Sequence, residues 1–592
     1  MTTIATDSDR PWLKNYEPGV PSTITCPDMT LGAVLNQSAT KFPDQSAVFF
    51  YGKRISYAEL DGLANQFCRS LLRLGVKKGD RVALMLPNVP QMVICYFGTL
   101  RTGAMAVLTN PLYHEHELET QLKDSGAETL VALDLFLPVI TNVLKKTKVK
   151  HLILCSVKDY LSFPKNFLYS LKMRSKIQPP PADLASQTFG LVKLMGREET
   201  APAEEVVSPD DVAVVQYTGG TTGIPKGAML THRNLLVNAI QTRSWFTKQK
   251  EGKDRLLAVI PFFHVYGLTV ALNEGILAGV ELILLPKFHT KEVLRYIHKY
   301  RPKVFPGVQA MYLAIGNYPK THKYDLTSVE VALSGAGPLM REVQERFEHL
   351  TKSRIVEGYG LSEASPVTHA NPIFGMRKIG SIGLPWPQTE ARIVDRETGK
   401  KVLPVGESGE LVIRGPQVMK GYWNKPEETA HVLRDGWLHT GDIAKMDEDG
   451  FFFIVDRMKD MIKTGGENVY PREVEEVLYK HPRVREAVVV GIPNDFLGEQ
   501  IKAYIVLNEE KPSEDTLNTQ ASDGTDHKHN VSQEGEKAAA DEIIEFCKEH
   551  ISKFKVPKEI EFRSEIPKTS VGKVLRRTLR DEEMKKRAMQ KQ

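Results

Sequence analysis

Hydrophobic positions in the first third of the chain alternate between two periods. Ser56-Tyr57-Ala58-Glu59 has Ser and Glu at the spacing of a helix-opening capping box, and Leu60, Leu63, Ala64, Phe67, Leu71 and Leu74 follow at helical period. Arg81 to Leu86 is then a short apolar run suited to a buried strand. A second helical pattern runs from Pro90 to about Arg101, and a second apolar run from Ala104 to Leu108. Such alternation predicts a parallel sheet with helices on its faces, an α/β fold.

Between Lys158 and Val206 the pattern is less regular and contains Pro179-Pro180-Pro181. Its first part sets Phe163, Phe167, Leu168 and Leu171 among Lys158, Lys165, Lys172, Arg174 and Lys176. That mixture suits either a surface helix packed on its own domain or an interfacial membrane helix. From Val212 to Val455 the chain is dense in Gly-rich turns and apolar runs, and its character changes near Asp456. The remainder reads as a small α+β domain. Pro471 to Tyr479 opens like a helix, with Pro and acids first; Ala487 to Ile492 and Ile501 to Leu507 read as strands; Glu542 to Ile551 reads as an amphipathic helix. Lys511 to Ala540 is polar with almost no apolar residues, which predicts a disordered insertion. The expected division is therefore a large domain over 1–455, a hinge over 456–459 and a small domain over 460–592.

Leu256 to Pro286 lacks Lys and Arg and so resembles a membrane span, yet Pro261, Gly267, Gly275 and Gly279 interrupt it. Glu274 and Glu281 would be costly in lipid, so buried helix and strand are expected instead. Met1 to Arg10 lacks the basic-then-apolar pattern of a signal peptide. Five cysteines, Cys26, Cys68, Cys95, Cys155 and Cys547, are scattered without CxxC spacing. This fits a reducing, cytoplasmic setting and argues against a zinc site or a disulfide framework. A net charge of +5 over 592 residues, with no basic stripe interleaved with aromatics, gives no sign of a nucleic-acid partner.

The richest segment is Tyr217-Thr218-Gly219-Gly220-Thr221-Thr222-Gly223-Ile224-Pro225-Lys226-Gly227, which follows the apolar run Val212 to Val215. Glycines let a backbone turn sharply beside a bulky anion, and successive N–H groups with Thr218, Thr221 and Thr222 hydroxyls can wrap phosphate oxygens. Lys226 adds a point charge. Gly227 follows that lysine, so the spacing is not the Walker A pattern.

This loop resembles the signature of the adenylate-forming superfamily, which includes acyl-CoA synthetases, firefly luciferase and peptide-synthetase adenylation domains. Six further elements follow in that family's order. They are Phe262-Phe263-His264-Val265-Tyr266-Gly267, Ser334-Gly335-Ala336-Gly337-Pro338 and Glu357-Gly358-Tyr359-Gly360-Leu361-Ser362-Glu363, then Trp437-Leu438-His439-Thr440-Gly441-Asp442, Asp456-Arg457-Met458-Lys459-Asp460 and Pro567-Lys568-Thr569-Ser570-Val571-Gly572-Lys573. The resemblance runs from about residue 30 to 582. Within the superfamily the chain looks most like bacterial long-chain fatty acid–CoA ligases, on Asn110-Pro111-Leu112-Tyr113 with Glu117-Leu118-Glu119, Tyr217 to Arg233 and Gly380 to Pro385.

The resemblance implies ATP, Mg2+ and coenzyme A, with a fatty acid as the acyl donor. It assigns Lys573 to bridging the carboxylate and the α-phosphate, with Lys226 on the phosphates, and gives the metal to Glu363 and Thr218. Tyr359 would stack on adenine beside Gly335, Ala336, Gly358 and Gly360; Asp442 would take the ribose hydroxyls, supported by Arg457. His264 would lie near the substrate carboxylate, and Val265 to Val280 would wall an acyl tunnel with room left by Gly335. Rotation of the small, mobile domain about Asp456 to Lys459 would withdraw Lys573 and bring up Lys463-Thr464-Gly465-Gly466-Glu467-Asn468. Gly465 and Gly466 would admit pantetheine and Lys463 would assist thioester formation. Some relatives carry Asp at the Lys459 pivot, and many fatty acyl ligases differ at one of the two glycines. Short or aromatic acids, a carrier-protein acceptor, and a catalytically silent binding module remain alternatives, as do a homodimer and peripheral contact with the inner face of the membrane.

Overall fold

The computed structural model describes residues 10–202, 207–218, 225–457, 460–464, 467–494, 496–508, 533–569 and 574–590. Two compact units divide the chain. One comprises Met1–Arg392, Val412–Thr440 and Met446–Phe453; the other comprises Ile393–Leu411, Gly441–Lys445 and Ile454–Gln592.

The larger unit contains two sheets that are parallel through their middles. In the eight-stranded sheet the order is Gly421–Tyr422, Lys226–Thr231, Val212–Thr218, Met105–Leu108, Arg81–Met85, Thr129–Leu133, His151–Cys155 and Thr188–Gly190. All neighbours from Val212–Thr218 onward are parallel, and the first two pairings are antiparallel. The nine-stranded sheet runs Leu384–Pro385, Val367–Ala370, Arg354–Gly360, Val331–Ser334, Val304–Gly307, Arg255–Ala258, Glu281–Leu284, Ser46–Phe50 and Lys53–Ser56. It too is parallel except at its edges.

Local sequence explains these elements. The helix Tyr57–Arg73 opens with the expected capping box: Glu59 N–H donates to Ser56 Oγ at 3.2 Å, and Ser56 N–H donates to Glu59 Oε2 at 2.8 Å. The helix Pro90–Arg101 is buried from Pro90 to Leu100, as its nearly all-round apolar sequence requires. Leu256 to Pro286 forms two neighbouring parallel strands joined by a buried helix, which is irregular over Leu268–Asn273. Among the described residues no helix is long and apolar enough to cross a membrane.

The smaller unit has its own sheet, ordered Glu467–Val469, Ile462–Thr464, Gly498–Leu507 and Val484–Asn494, with Glu559–Phe562 parallel to Gly498–Leu507. Val474, Leu478, Val489, Ile501, Ile543 and Cys547 form a core between this sheet and its helices. Lys502 is buried and its Nζ meets Glu583 at 2.7 Å and Glu561 at 2.9 Å. That pairing ties the C-terminal helix Arg576–Gln590 to the strands. The predicted disordered stretch 511–540 falls largely outside the described residues, but its end does not: the helix spans Gln533–His550, not Glu542 to Ile551. Glu534, Glu536, Lys537 and Ala538 to Ala540 are good helix formers, and a low apolar content concealed that propensity.

Glu274 is a costly burial in the larger unit, with neither carboxylate oxygen hydrogen-bonded. It is fully buried, and burial pushes its carboxyl from 4.5 up to about 8, against the opposing field of Arg243. The folded protein then holds a proton between those values that the unfolded chain releases, so stability falls as pH rises across that window. Replacing Glu274 by Gln removes the titration. The melting-temperature advantage of Glu274→Gln should grow by about a few degrees between about pH 5 and 8, for a term on the order of a few kcal/mol. A pH-independent difference would contradict this assignment.

Candidate active site

The strand Val212–Thr218 ends where the Gly- and Thr-rich segment begins, and Lys226–Thr231 returns antiparallel beside it, with Thr218 opposite Lys226. Gly219, Gly220, Thr221, Thr222 and Gly223 lie outside the described residues. The strand ends that flank them pair with each other. Thr218 Oγ1 lies 3.5 Å from the Lys226 carbonyl, and Tyr217 donates its hydroxyl to Asp124 at 2.6 Å. Gly227 permits the close pairing here, because a Cβ would stand 2.6 Å from Val215 Cγ1.

A third segment clasps the returning strand. Gly421 and Tyr422 pair with Met229 and Ala228, and Trp423 N–H donates to the Gly227 carbonyl at 2.7 Å. Met419 N–H donates to the Glu363 carbonyl at 2.7 Å, which draws the Glu357–Glu363 motif to the same place. Tyr422 is buried and donates its hydroxyl to Glu363 Oε1 at 2.6 Å. Burial, reinforced by the Glu363 charge, pushes the Tyr422 phenol well up, so it remains a donor. Lys226 lies over the Tyr422 ring, 5.5 Å from its centroid, and its Nζ is ion-paired with Glu428 of the helix Pro426–Val432. The Lys226 ammonium holds the Glu428 carboxyl below the usual range. Thus Lys226 and Glu363 meet through Tyr422, with Glu428 on the Lys226 ammonium, and sequence reasoning missed both Tyr422 and Glu428.

Glu428 follows Pro426 and Glu427 and is legible locally only as an acid in a first helical turn. Its pairing with Lys226 spans 202 positions, which no local pattern reveals. Tyr422 had a weak signal, since it stands in a short apolar stretch beside Gly421.

The second group sits at the carboxyl ends of the nine-stranded sheet. Ser334 is in register with Glu357 on the adjoining strand, which sets Gly335 and Ala336 beside Gly358, Tyr359 and Gly360. Gly335 is packed on Tyr266, where a Cβ would stand 2.9 Å from the ring, and Ala336 takes φ +64°. Tyr266 is itself pinned, donating its hydroxyl to the Leu333 carbonyl at 2.6 Å. Tyr359 is half-buried and pairs across the strands with His369, their ring centroids 5.9 Å apart. His369 is fully buried; burial lowers its imidazole to about 3, so a neutral ring backs Tyr359.

His264 caps the helix that begins at Val265. Tyr266 N–H donates to His264 Nδ1 at 3.2 Å, which places the proton of the neutral ring on Nε2. Gln216, two residues before Thr218, donates its side-chain amide to the Phe263 carbonyl at 3.2 Å. The His264 segment is thereby attached to the strand that leads into the phosphate segment. Val265 to Val280 is buried as expected, except for partly exposed Leu277, but it encloses Asn273 and Glu274 and so is less apolar than a plain tunnel wall.

In the smaller unit, Asp442 is buried and follows Gly441, whose N–H donates to Glu410 Oε1 at 3.1 Å. Arg457 ends the strand Phe452–Arg457. Asp456 accepts from Arg472 N–H at 2.9 Å and so caps the helix Pro471–Leu478. Lys463 is exposed on Ile462–Thr464, its N–H donating to Glu499 Oε2 at 2.9 Å. Lys459, Gly465, Gly466 and Lys573 lie outside the described residues.

Among the described residues no cluster of three or more His, Cys, Asp or Glu could hold a metal ion. A lone carboxylate such as Glu363 suits an ion whose other ligands are phosphate and water, as Mg2+ prefers.

Residues 35–423 match the AMP-binding enzyme family and residues 473–573 match the AMP-binding enzyme C-terminal domain. The chain is 47% identical over 577 residues to a long-chain-fatty-acid–CoA ligase of Bacillus subtilis, covering 97% of this chain and 98% of that one. Among solved structures it resembles an anthranilate CoA ligase, AuaEII, in complex with anthranoyl-AMP (TM-score 0.80, 26% identity, 95% and 99% covered). It also resembles ATP-bound MatB from Rhodopseudomonas palustris (TM-score 0.78, 28% identity, 94% and 99% covered). Matched over most of its length, the chain belongs to the family of AMP-binding, adenylate-forming enzymes.

Proposed function

We propose that this protein activates a long-chain fatty acid with ATP and Mg2+ and passes the acyl group to coenzyme A. The observation that carries this reading is the near full-length likeness to the Bacillus subtilis long-chain-fatty-acid–CoA ligase. In the first step a carboxylate oxygen attacks the α-phosphorus, giving acyl-AMP and releasing pyrophosphate. In the second, the CoA thiolate attacks the acyl carbon and AMP leaves.

Each step makes a demand that named residues meet. Bringing a carboxylate beside a triphosphate needs cations that match the developing charge. We assign Lys226 to the phosphates; on their arrival it exchanges its Glu428 partner for phosphate oxygens. Thr218, Thr221 and Thr222 with the N–H groups of Gly219, Gly220 and Gly223 complete that cradle. Lys573 bridges carboxylate and phosphate. Glu363 and Thr218 hold the Mg2+, which supplies charge neutralisation on phosphate oxygens when bound. Tyr422 orients the Glu363 carboxylate. Adenine stacks on Tyr359 beside Gly335, Ala336, Gly358 and Gly360, and Asp442 takes the ribose hydroxyls with Arg457 in support. With its proton on Nε2, His264 acts as a donor toward the substrate carboxylate.

For the second step, residues 460–592 rotate as a body about 456–459 against 1–455, with Lys459 at the pivot. Lys463, Gly465 and Gly466 then receive the pantetheine arm. Any membrane contact is peripheral, and the likeness to a long-chain ligase favours neither a carrier-protein acceptor nor a short or aromatic acid.

Two experiments test the roles. Lys573→Ala should lower pyrophosphate release by about a hundredfold or more while sparing thioester formation from supplied acyl-AMP, and Lys463→Ala should do the reverse. Equal loss of both half-reactions in each variant would refute the division. Tyr422→Phe should raise the Mg2+ concentration needed for half-maximal pyrophosphate release by about three- to tenfold with kcat changed less. An unchanged Mg2+ dependence would leave Tyr422 a packing residue only.

A further inference from the structure

The helix Lys165–Met173 is mounted the wrong way round for a surface helix. Such helices bury their apolar side against their own domain and show polar residues to water. Here Asn166, Tyr169 and Met173 are the half-buried residues, whereas Phe167, Leu168 and Leu171 are 64%, 56% and 62% exposed. Phe163, just before the helix, is 83% exposed. Among the described residues only seven large hydrophobic side chains are more than 55% exposed, and four of them are these. Single exposed apolar residues need no explanation, but a cluster on one face does.

Charge narrows what covers it. Residues 165–178 carry Lys165, Lys172, Arg174 and Lys176 and no acid. Lys53 joins them from the neighbouring turn, lying over the Tyr160 ring, and Lys165 Nζ donates to the Tyr51 carbonyl in that turn. A second copy of this face would bring like charges together across an isologous contact. The core of a protein interface is also depleted in lysine. An apolar face with aromatic and leucine side chains flanked by bases is the pattern of a helix lying in a lipid interface.

We propose that the helix Lys165–Met173 docks this protein on an anionic bilayer surface. Phe163, Phe167, Leu168 and Leu171 enter the boundary between headgroups and acyl chains, and Lys172, Arg174 and Lys176 meet anionic headgroups. This surface works independently of which acid the active site takes. For an enzyme of fatty acids it keeps the protein where such substrates partition.

The test is co-sedimentation of the full chain with phosphatidylcholine vesicles, with and without phosphatidylglycerol. Wild-type protein should bind the anionic vesicles about tenfold or more tightly than the neutral ones, and added salt should weaken that binding. The triple variant Phe167→Ser, Leu168→Ser, Leu171→Ser should lose about tenfold or more of the binding, as should Lys172→Glu, Arg174→Glu, Lys176→Glu. Both should keep wild-type melting temperature and AMP formation in detergent. Equal binding of wild-type protein to both vesicle types, or undiminished binding by the serine variant, would overturn the proposal. So would a lipid-free dimer that the serine variant dissolves, since that would give the face to a second copy.

Discussion

The antiparallel pairing of Val212–Thr218 with Lys226–Thr231, extended by Gly421–Tyr422, is the contact on which the active site depends. A segment rich in glycine loses more conformational freedom on ordering than any other composition, so it is useful only if its ends are held. Pairing Thr218 with Lys226 holds both ends to one geometry. The added strand then places Tyr422 between Lys226 and Glu363, a cation that phosphate would take and a carboxylate that a metal would take. Three distant parts of the chain meet there because one sheet edge offers unpaired backbone groups to satisfy.

The remaining parts of the larger unit obey a second constraint. In open α/β sheets the crevice for ligands lies outside the carboxyl ends of the strands. Thr218 ends one strand; Gly335 and Ala336 follow Ser334 at the end of another; Gly358 to Gly360 end a third. His264 follows the strand Arg255–Ala258 by a short turn. Chemistry is thus displayed by turns whose backbone is fixed from behind. Tyr266 braces Gly335, and neutral His369 braces Tyr359. These braces are uncharged, so they add no field of their own beside Gly335 and Tyr359.

Much of this was legible in the sequence. The capping box at Ser56, the alternating helices and strands, the buried reading of Leu256 to Pro286 and the family itself all appear as expected. What was not legible has a common cause. Glu428 and Tyr422 meet partners 202 and 59 positions away, and their own neighbourhoods look like an ordinary helix start or strand. The early start of the helix Gln533–His550 was hidden for another reason: helix propensity from Glu, Lys and Ala carries no hydrophobic period to detect. The helix Lys165–Met173 was legible as amphipathic, but which side faces water depends on its packing against the turn Val157–Tyr160.

The smaller unit is built as a body of its own. Its sheet and helices close around their own core, and Lys502 with Glu561 and Glu583 binds the last helix to that core. A body with its own core can move without unfolding, and its boundaries need few contacts. Lys463 stands on one short strand of this body, while Arg576 opens the helix just after Lys573 and is held by Glu475 at 2.7 Å. Lys463 and Arg576 therefore belong to one body. A charge that serves adenylation would attract the released pyrophosphate and hinder the next step if it stayed in place. Under the proposed division of roles, mounting it on a separate body would let one motion remove that charge and present the residues for the thiol.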